Sequence, residues 1–130
     1  MIRILLAFTF GAFILGSCTT YSEEQKERFD TRIEKYLKKK GIECERSSSG
    51  LYYKITPEGE GDLIKYKDHV VFKYKGWLLN GKIFDEQLNE PVEFAVEELI
   101  GAWKEAVQMM RKGDKAFLVA PPQLGYGEHQ

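Results

Sequence analysis

Between Val70 and Asp85 the sequence V-V-F-K-Y-K-G-W-L-L-N-G-K-I-F-D sets two aromatic residues, Tyr74 and Phe84, beside one carboxylate, Asp85. Together they make an aromatic hollow with an acid at its rim. Such a hollow binds and orients an apolar group; it does not attack one. The sequence offers no convincing nucleophile. It has no Cys-x-x-Cys pattern and no Cys/His ligand spacing, and His69 and His129 lie far apart, so neither a metal nor a cofactor is expected.

The hollow needs two strands and a turn. Val70, Phe72 and Tyr74 alternate with His69, Val71, Lys73 and Lys75, and β side chains alternate faces with period two, so the first three share the buried face. Asn80-Gly81, between two apolar runs, predicts a two-residue type I′ hairpin turn. Ser47-Ser48-Ser49-Gly50 marks a linker or turn, Leu51 to Ile55 a strand, and Pro57 to Asp62 a Gly-rich loop. A loop around Leu88 to Pro91 precedes a short strand ending at Phe94. Trp103, Val107 and Met110 at helical spacing predict a helix from Glu97 to Lys112, stopped by Gly113. Lys115 to Ala120 is a further strand, halted by Pro121-Pro122. Strands with one inserted helix give an α+β fold, an antiparallel sheet curved around that helix.

Tyr74, Gly76, Leu78, Gly81, Phe84 and Asp85 resemble the Y-x-G-x-L-x-x-G-x-x-F-D signature of FKBP-type peptidyl-prolyl isomerases. The match continues in order through Pro91-Val92-Glu93-Phe94, Leu99-Ile100-Gly101-Ala102-Trp103, Met110, Gly113 and Tyr126-Gly127. The resemblance covers Gly50 onward and implies the same curved sheet around a short helix. It also implies an apolar loop and a closing strand after Tyr126-Gly127. The sequence stops at Gln130, so an incomplete domain with weakened activity is expected over residues 47–130.

The resemblance implies rotation about X-Pro bonds of proline-containing polypeptides. That rotation crosses about 18–20 kcal/mol because the planar amide must lose its resonance, and uncatalysed it takes roughly tens to hundreds of seconds. The twisted amide is less polar than either ground state, so a dry aromatic pocket binds it relatively better than water does. By resemblance, Trp103 is the floor beneath the proline ring. Tyr74 and Phe84 are walls, with Leu99 and Ile100 at the edge. The Ile100 backbone N–H and the Tyr126 hydroxyl hold substrate carbonyls, and Asp85 sits beside the Tyr74 hydroxyl. Val92 stands where the family usually has an aromatic wall, implying a wider or shallower pocket. Taken singly, each aromatic is more often core than pocket, and Asp85 is a common hairpin-end residue; their joint order favours the pocket.

The first residues are read as targeting sequence. Met1-Ile2-Arg3 is a basic start, Ile4 to Leu15 an apolar run suited to a signal-peptide core, and Leu15-Gly16-Ser17-Cys18 resembles the lipobox of bacterial lipoproteins. Residues 1–17 are thus expected to be removed, and Cys18 to be lipidated. That would hold the protein on a membrane of the bacterial cell envelope, facing the periplasm or the surface. Residues 18–46 form the tether and a helix. Ser22 with Gln25 makes a capping box, and Phe29, Ile33, Tyr36 and Leu37 form one apolar stripe ahead of Gly41. Three placements are open to this helix: on its own domain, which is the plain default, against another copy, or as a spacer from the membrane. Cys44 remains as a lone cysteine, buried, free or bridged to another chain.

The 130 residues support one domain, and Lys+Arg 19 against Asp+Glu 20 leaves a net charge of -1. That balance gives no electrostatic footprint for nucleic acid. Two functions compete: an envelope-anchored prolyl isomerase that helps exported proteins fold, and a non-catalytic binding or chaperone module using the same pocket. A place in an envelope protein complex is a further expectation by resemblance.

Overall fold

The computed structural model describes residues 20–125; the signal peptide expected over residues 1–17, Cys18 and Tyr126 lie outside the described residues. In chain order the elements are α1 (Glu23–Lys40), β1 (Glu45–Arg46), β2 (Tyr52–Thr56), β3 (Glu60–Leu63), β4 (His69–Trp77) and β5 (Ile83–Ala95). A 3-10 turn (Val96–Glu98), α2 (Gly101–Val107), β6 (Arg111–Lys112), β7 (Lys115–Val119) and a second 3-10 turn (Pro122–Leu124) follow.

α1 begins and ends as its sequence dictates. The Ser22 hydroxyl accepts from the Gln25 N–H, the Gln25 side chain accepts from the Ser22 N–H, and Gly41 closes the helix at φ 70°. The stripe packs on the chain's own sheet: Ile33 and Leu37 are buried against Tyr52 and Val119, and Phe29 against Tyr21. Each such side chain contributes about 1.5–3 kcal/mol by leaving water. The Tyr52 hydroxyl donates to Glu34 at 2.9 Å. Burial, and then that carboxylate, push the phenol well above its ordinary pKa.

Among the described residues the strands form three open antiparallel sheets: β1-β2-β7, β3-β6 and β4-β5. The first is covered on both faces. Period two sends Tyr52 and Val119 to α1, and Tyr53 and Leu118 to the opposite face, where Leu51, Ala102 and Ala106 form a second cluster. The β4-β5 hairpin closes over the far side of α2, where Val96, Leu99 and Val107 are buried with Val70, Phe72, Phe94 and Trp103 around them.

Three local expectations change. The hairpin loop has three residues, Leu79, Asn80 and Gly81: the Gly81 N–H donates to the Leu78 carbonyl, and the Leu78 N–H to that of Lys82. Only Gly81 takes positive φ, 94°. Asn80 keeps a non-positive φ, and its side-chain oxygen accepts from the Lys82 N–H at 2.9 Å. This is the turn-plus-left-handed-glycine loop, not type I′. The helix expected over Glu97 to Lys112 is α2 alone. Beyond it the backbone is drawn into a ladder with β3, and Met110 accepts from the Ile64 N–H. For the same reason the Gly-rich stretch after Pro57 contains strand β3.

Asp114 clasps this corner. Its carboxylate accepts from the Gly59 N–H at 2.7 Å and the Arg111 N–H at 2.8 Å. These backbone donors, Arg111 first and then Gly59, hold its pKa below the usual carboxylate value. A depressed folded pKa adds stability that is present above the unfolded value of about 3.9 and is lost as pH falls through the folded one. Asp114→Asn should therefore lower the denaturant midpoint at pH 7, and its gap from wild type should close below about pH 4. A gap unchanged between pH 7 and pH 3 would dismiss the clasp.

Candidate functional site

The candidate site is built on the inner face of β4. Its alternation leaves Val70, Phe72, Tyr74 and Gly76 half-buried and turns His69, Val71, Lys73, Lys75 and Trp77 outward. Four rings meet there. Tyr74 stands edge-on to Trp103 with centroids 4.8 Å apart, and Phe72 is 5.3 Å from Trp103 and 5.2 Å from Phe94. Phe94 lies 6.2 Å from Trp103. These are the offset and edge-to-face geometries that ring quadrupoles favour.

The polar handle lies at one end of this cluster. The Tyr74 hydroxyl donates to Asp85 Oδ2 at 2.8 Å. Asp85 pairs in register with Gly76 rather than with Tyr74, which faces Gln87, so its carboxylate reaches back diagonally. Between the Gly76–Asp85 and Trp77–Ile83 pairs, β5 carries one extra residue, Phe84. This bulge lets two consecutive residues, Phe84 and Asp85, both reach the Tyr74 face, which a regular strand forbids.

A second break re-forms the strand toward α2. Phe72 faces Val92 and Tyr74 faces Gln87, so Lys73 alone stands opposite residues 88–91, which remain within β5 as a wide irregularity of the ladder rather than as the separate loop expected there. Val92 is half-buried beside Phe72. Leu99 is 7% exposed and belongs to the buried cluster with Val96 and Val107 under the rings. Ile100 is the N-cap of α2, and its carbonyl accepts from the Lys104 N–H at 2.9 Å. Phe84, by contrast, is 46% exposed at the rim.

The structure thus brings together Tyr74, Phe84, Asp85 and Trp103, with Leu99 under the rings, Val92 opposite Phe72 and Ile100 at the start of α2. Phe72 and Phe94 join the cluster without having been singled out as site residues; the signal for Phe72 was the alternation that put it on Tyr74's face. His69 is exposed and bonds Glu93 at 3.2 Å. Cys44 is free and half-buried beside the α1 interface, and burial raises its thiol pKa. Among the described residues no cluster of His, Cys, Asp and Glu is arranged to hold a metal.

Known proteins are similar to this chain in sequence and fold. The family model for FKBP-type peptidyl-prolyl cis-trans isomerases matches residues 61–130. A probable FKBP-type peptidyl-prolyl cis-trans isomerase of Haemophilus influenzae is 45% identical over 91 residues, covering 68% of this chain and 38% of the relative. The FKBP-type isomerase FkpA of Escherichia coli is 41% identical over 97 residues, covering 73% and 35%. The crystal structure of FkpA from Escherichia coli superposes with a TM-score of 0.68 at 33% identity, over 97% of this chain and 60% of that one. The chain belongs to the FKBP-type peptidyl-prolyl cis-trans isomerase family. It spans well under half the length of the curated relatives it matches.

Because Trp103 touches the apolar clusters on both sides of α2, Trp103→Ala should cost about 3 kcal/mol of unfolding free energy. It should also flatten the near-ultraviolet circular dichroism of the ring cluster. A loss below about 1 kcal/mol would mean that the rings do not hold the two halves together.

Proposed function

We propose that this chain is a peptidyl-prolyl cis-trans isomerase acting on X-Pro bonds of exported polypeptides, held at the bacterial cell envelope through lipidated Cys18. The observation that carries the isomerase reading is the Tyr74–Trp103 ring contact closed at one end by the Tyr74–Asp85 hydrogen bond, on a chain of this family.

The proline ring rests on Trp103 between Tyr74 and Phe84. As the amide twists it loses its charge separation, and an apolar ring-lined site disfavours that form less than water does. Asp85 fixes the Tyr74 hydroxyl and sets the field at the rim; no proton needs to move. The Ile100 N–H and the Tyr126 hydroxyl hold the flanking carbonyls, so that binding energy from the peptide orients the bond that turns. No cofactor enters this mechanism.

A non-catalytic polypeptide-binding module is the second reading. Val92 in place of an aromatic wall favours it, as does the row of exposed apolar side chains on the hairpin, Ile83, Phe84 and Leu88. The two readings part on one measurement: the module binds proline peptides without accelerating their isomerisation.

Asp85→Ala should lower the isomerisation rate of an X-Pro peptide about tenfold, equivalent to about 1.4 kcal/mol of transition-state stabilisation. An undiminished rate in the Asp85→Ala, Tyr126→Phe double variant would assign both residues to structure. For the anchor, the wild-type protein should incorporate labelled fatty acid and sediment with membranes, and Cys18→Ser should abolish both. A soluble, unlabelled wild-type product would overturn the lipidation.

A further inference from the structure

Phe84 is the extra residue of a β-bulge, and what it lies on is Gly76. A Cβ built on Gly76 would stand 2.7 Å from Phe84 Cζ and 3.1 and 3.2 Å from the two Cε atoms. No real Cβ sits so close to a ring carbon, so the ring occupies the space that any side chain at position 76 would fill. Gly76 is not held there by backbone conformation, because its φ lies outside the left-handed region. Alanine is the better residue inside a strand when nothing else intervenes. The close approach of Phe84 is therefore the one feature at this position that calls for glycine. Gly76 also shares the inner face of β4 with Tyr74, so a ring seated on it lies along the wall that Tyr74 begins.

We propose that Gly76 is a positioning residue of the isomerase site: the absence of its side chain is the seat that holds the Phe84 ring against β4, on the Tyr74 face. The proposal rests on the isomerase reading and adds to it a seat for a ring that is 46% exposed at the rim. The atom in the way of a new methyl group is the far end of the Phe84 ring, not backbone. Gly76→Ala should therefore swing the ring away from its seat while leaving the β4-β5 ladder in place. A wall turned away no longer confines the proline ring, so the loss should fall on turnover of the bound peptide as well as on its binding.

A double-mutant cycle in the purified protein tests this, with X-Pro peptide isomerisation and thermal melting as readouts. Gly76→Ala should reduce kcat/KM about tenfold with Phe84 present and change it less than about twofold in a Phe84→Ala background, where there is no ring to displace. Both alanine variants at position 76 should melt within a few degrees of their parents. A loss of the same size in both backgrounds, or no loss in either, overturns the proposal. A second readout needs no turnover. Packed under the ring, a Gly76 Hα resonance should be shifted upfield by the ring current in the NMR spectrum and return to an ordinary glycine position in Phe84→Ala. An unshifted Gly76 Hα in the wild type overturns the seat itself. A wild-type chain that shows the shifted Hα but no isomerisation would uphold the seat and overturn the isomerase reading.

Discussion

The indole of Trp103 is packed from both sides, and the geometry of the site follows from that. On α2, Ala102 and Ala106 face the three-stranded sheet, and Trp103 and Val107 turn to the β4-β5 hairpin. Among the described residues no ladder joins the hairpin to β2 or β7. The inner face of the hairpin is therefore placed against the rest of the molecule by side-chain packing around Trp103. Close-packed aromatics tolerate little displacement. An element of seven residues, too short to be a stable helix alone, can thus hold Trp103 against the β4 face.

The outer face of the hairpin is tied down too. The Trp77 indole N–H donates to the Tyr36 hydroxyl of α1 at 3.2 Å, and its ring lies 6.1 Å from that of Phe117 on β7. α1 lies outside the residues that the family model matches, yet it reaches the strand carrying Tyr74 and Gly76. The hairpin is held by Trp103 on its inner face and by Trp77 on its outer one. Its tip keeps Leu79 and Ile83 exposed.

Much of this was legible in the order of residues, because local rules decide it. The capping box and stripe of α1 and the inward face of β4 are consequences of backbone satisfaction and of period 3.6 or 2. The side chains meeting at the site were also readable as an ordered set. Less legible were the features in which a distant partner competes with local propensity. The stretch from Met109 to Lys112 has helical spacing, but it follows β3 because a ladder and the Asp114 clasp satisfy its backbone instead. Asn80-Gly81 has the composition of a type I′ turn, but the loop closes over three residues between Leu78 and Lys82, and of these only Gly81 takes positive φ.

The sequence alone determined which chemistry is available: rings, one carboxylate and a strand face on which to set them. It could not determine how Phe84 and Asp85 come to act together, since neighbours on a regular strand point to opposite faces. The fold decides that by inserting one residue into the ladder opposite Gly76, where the missing Cβ leaves room for a ring, and by bringing the Asp85 carboxylate back to the Tyr74 hydroxyl. A bulge is a mismatch between two strands. It exists only once both are paired, so neither strand's sequence contains it by itself.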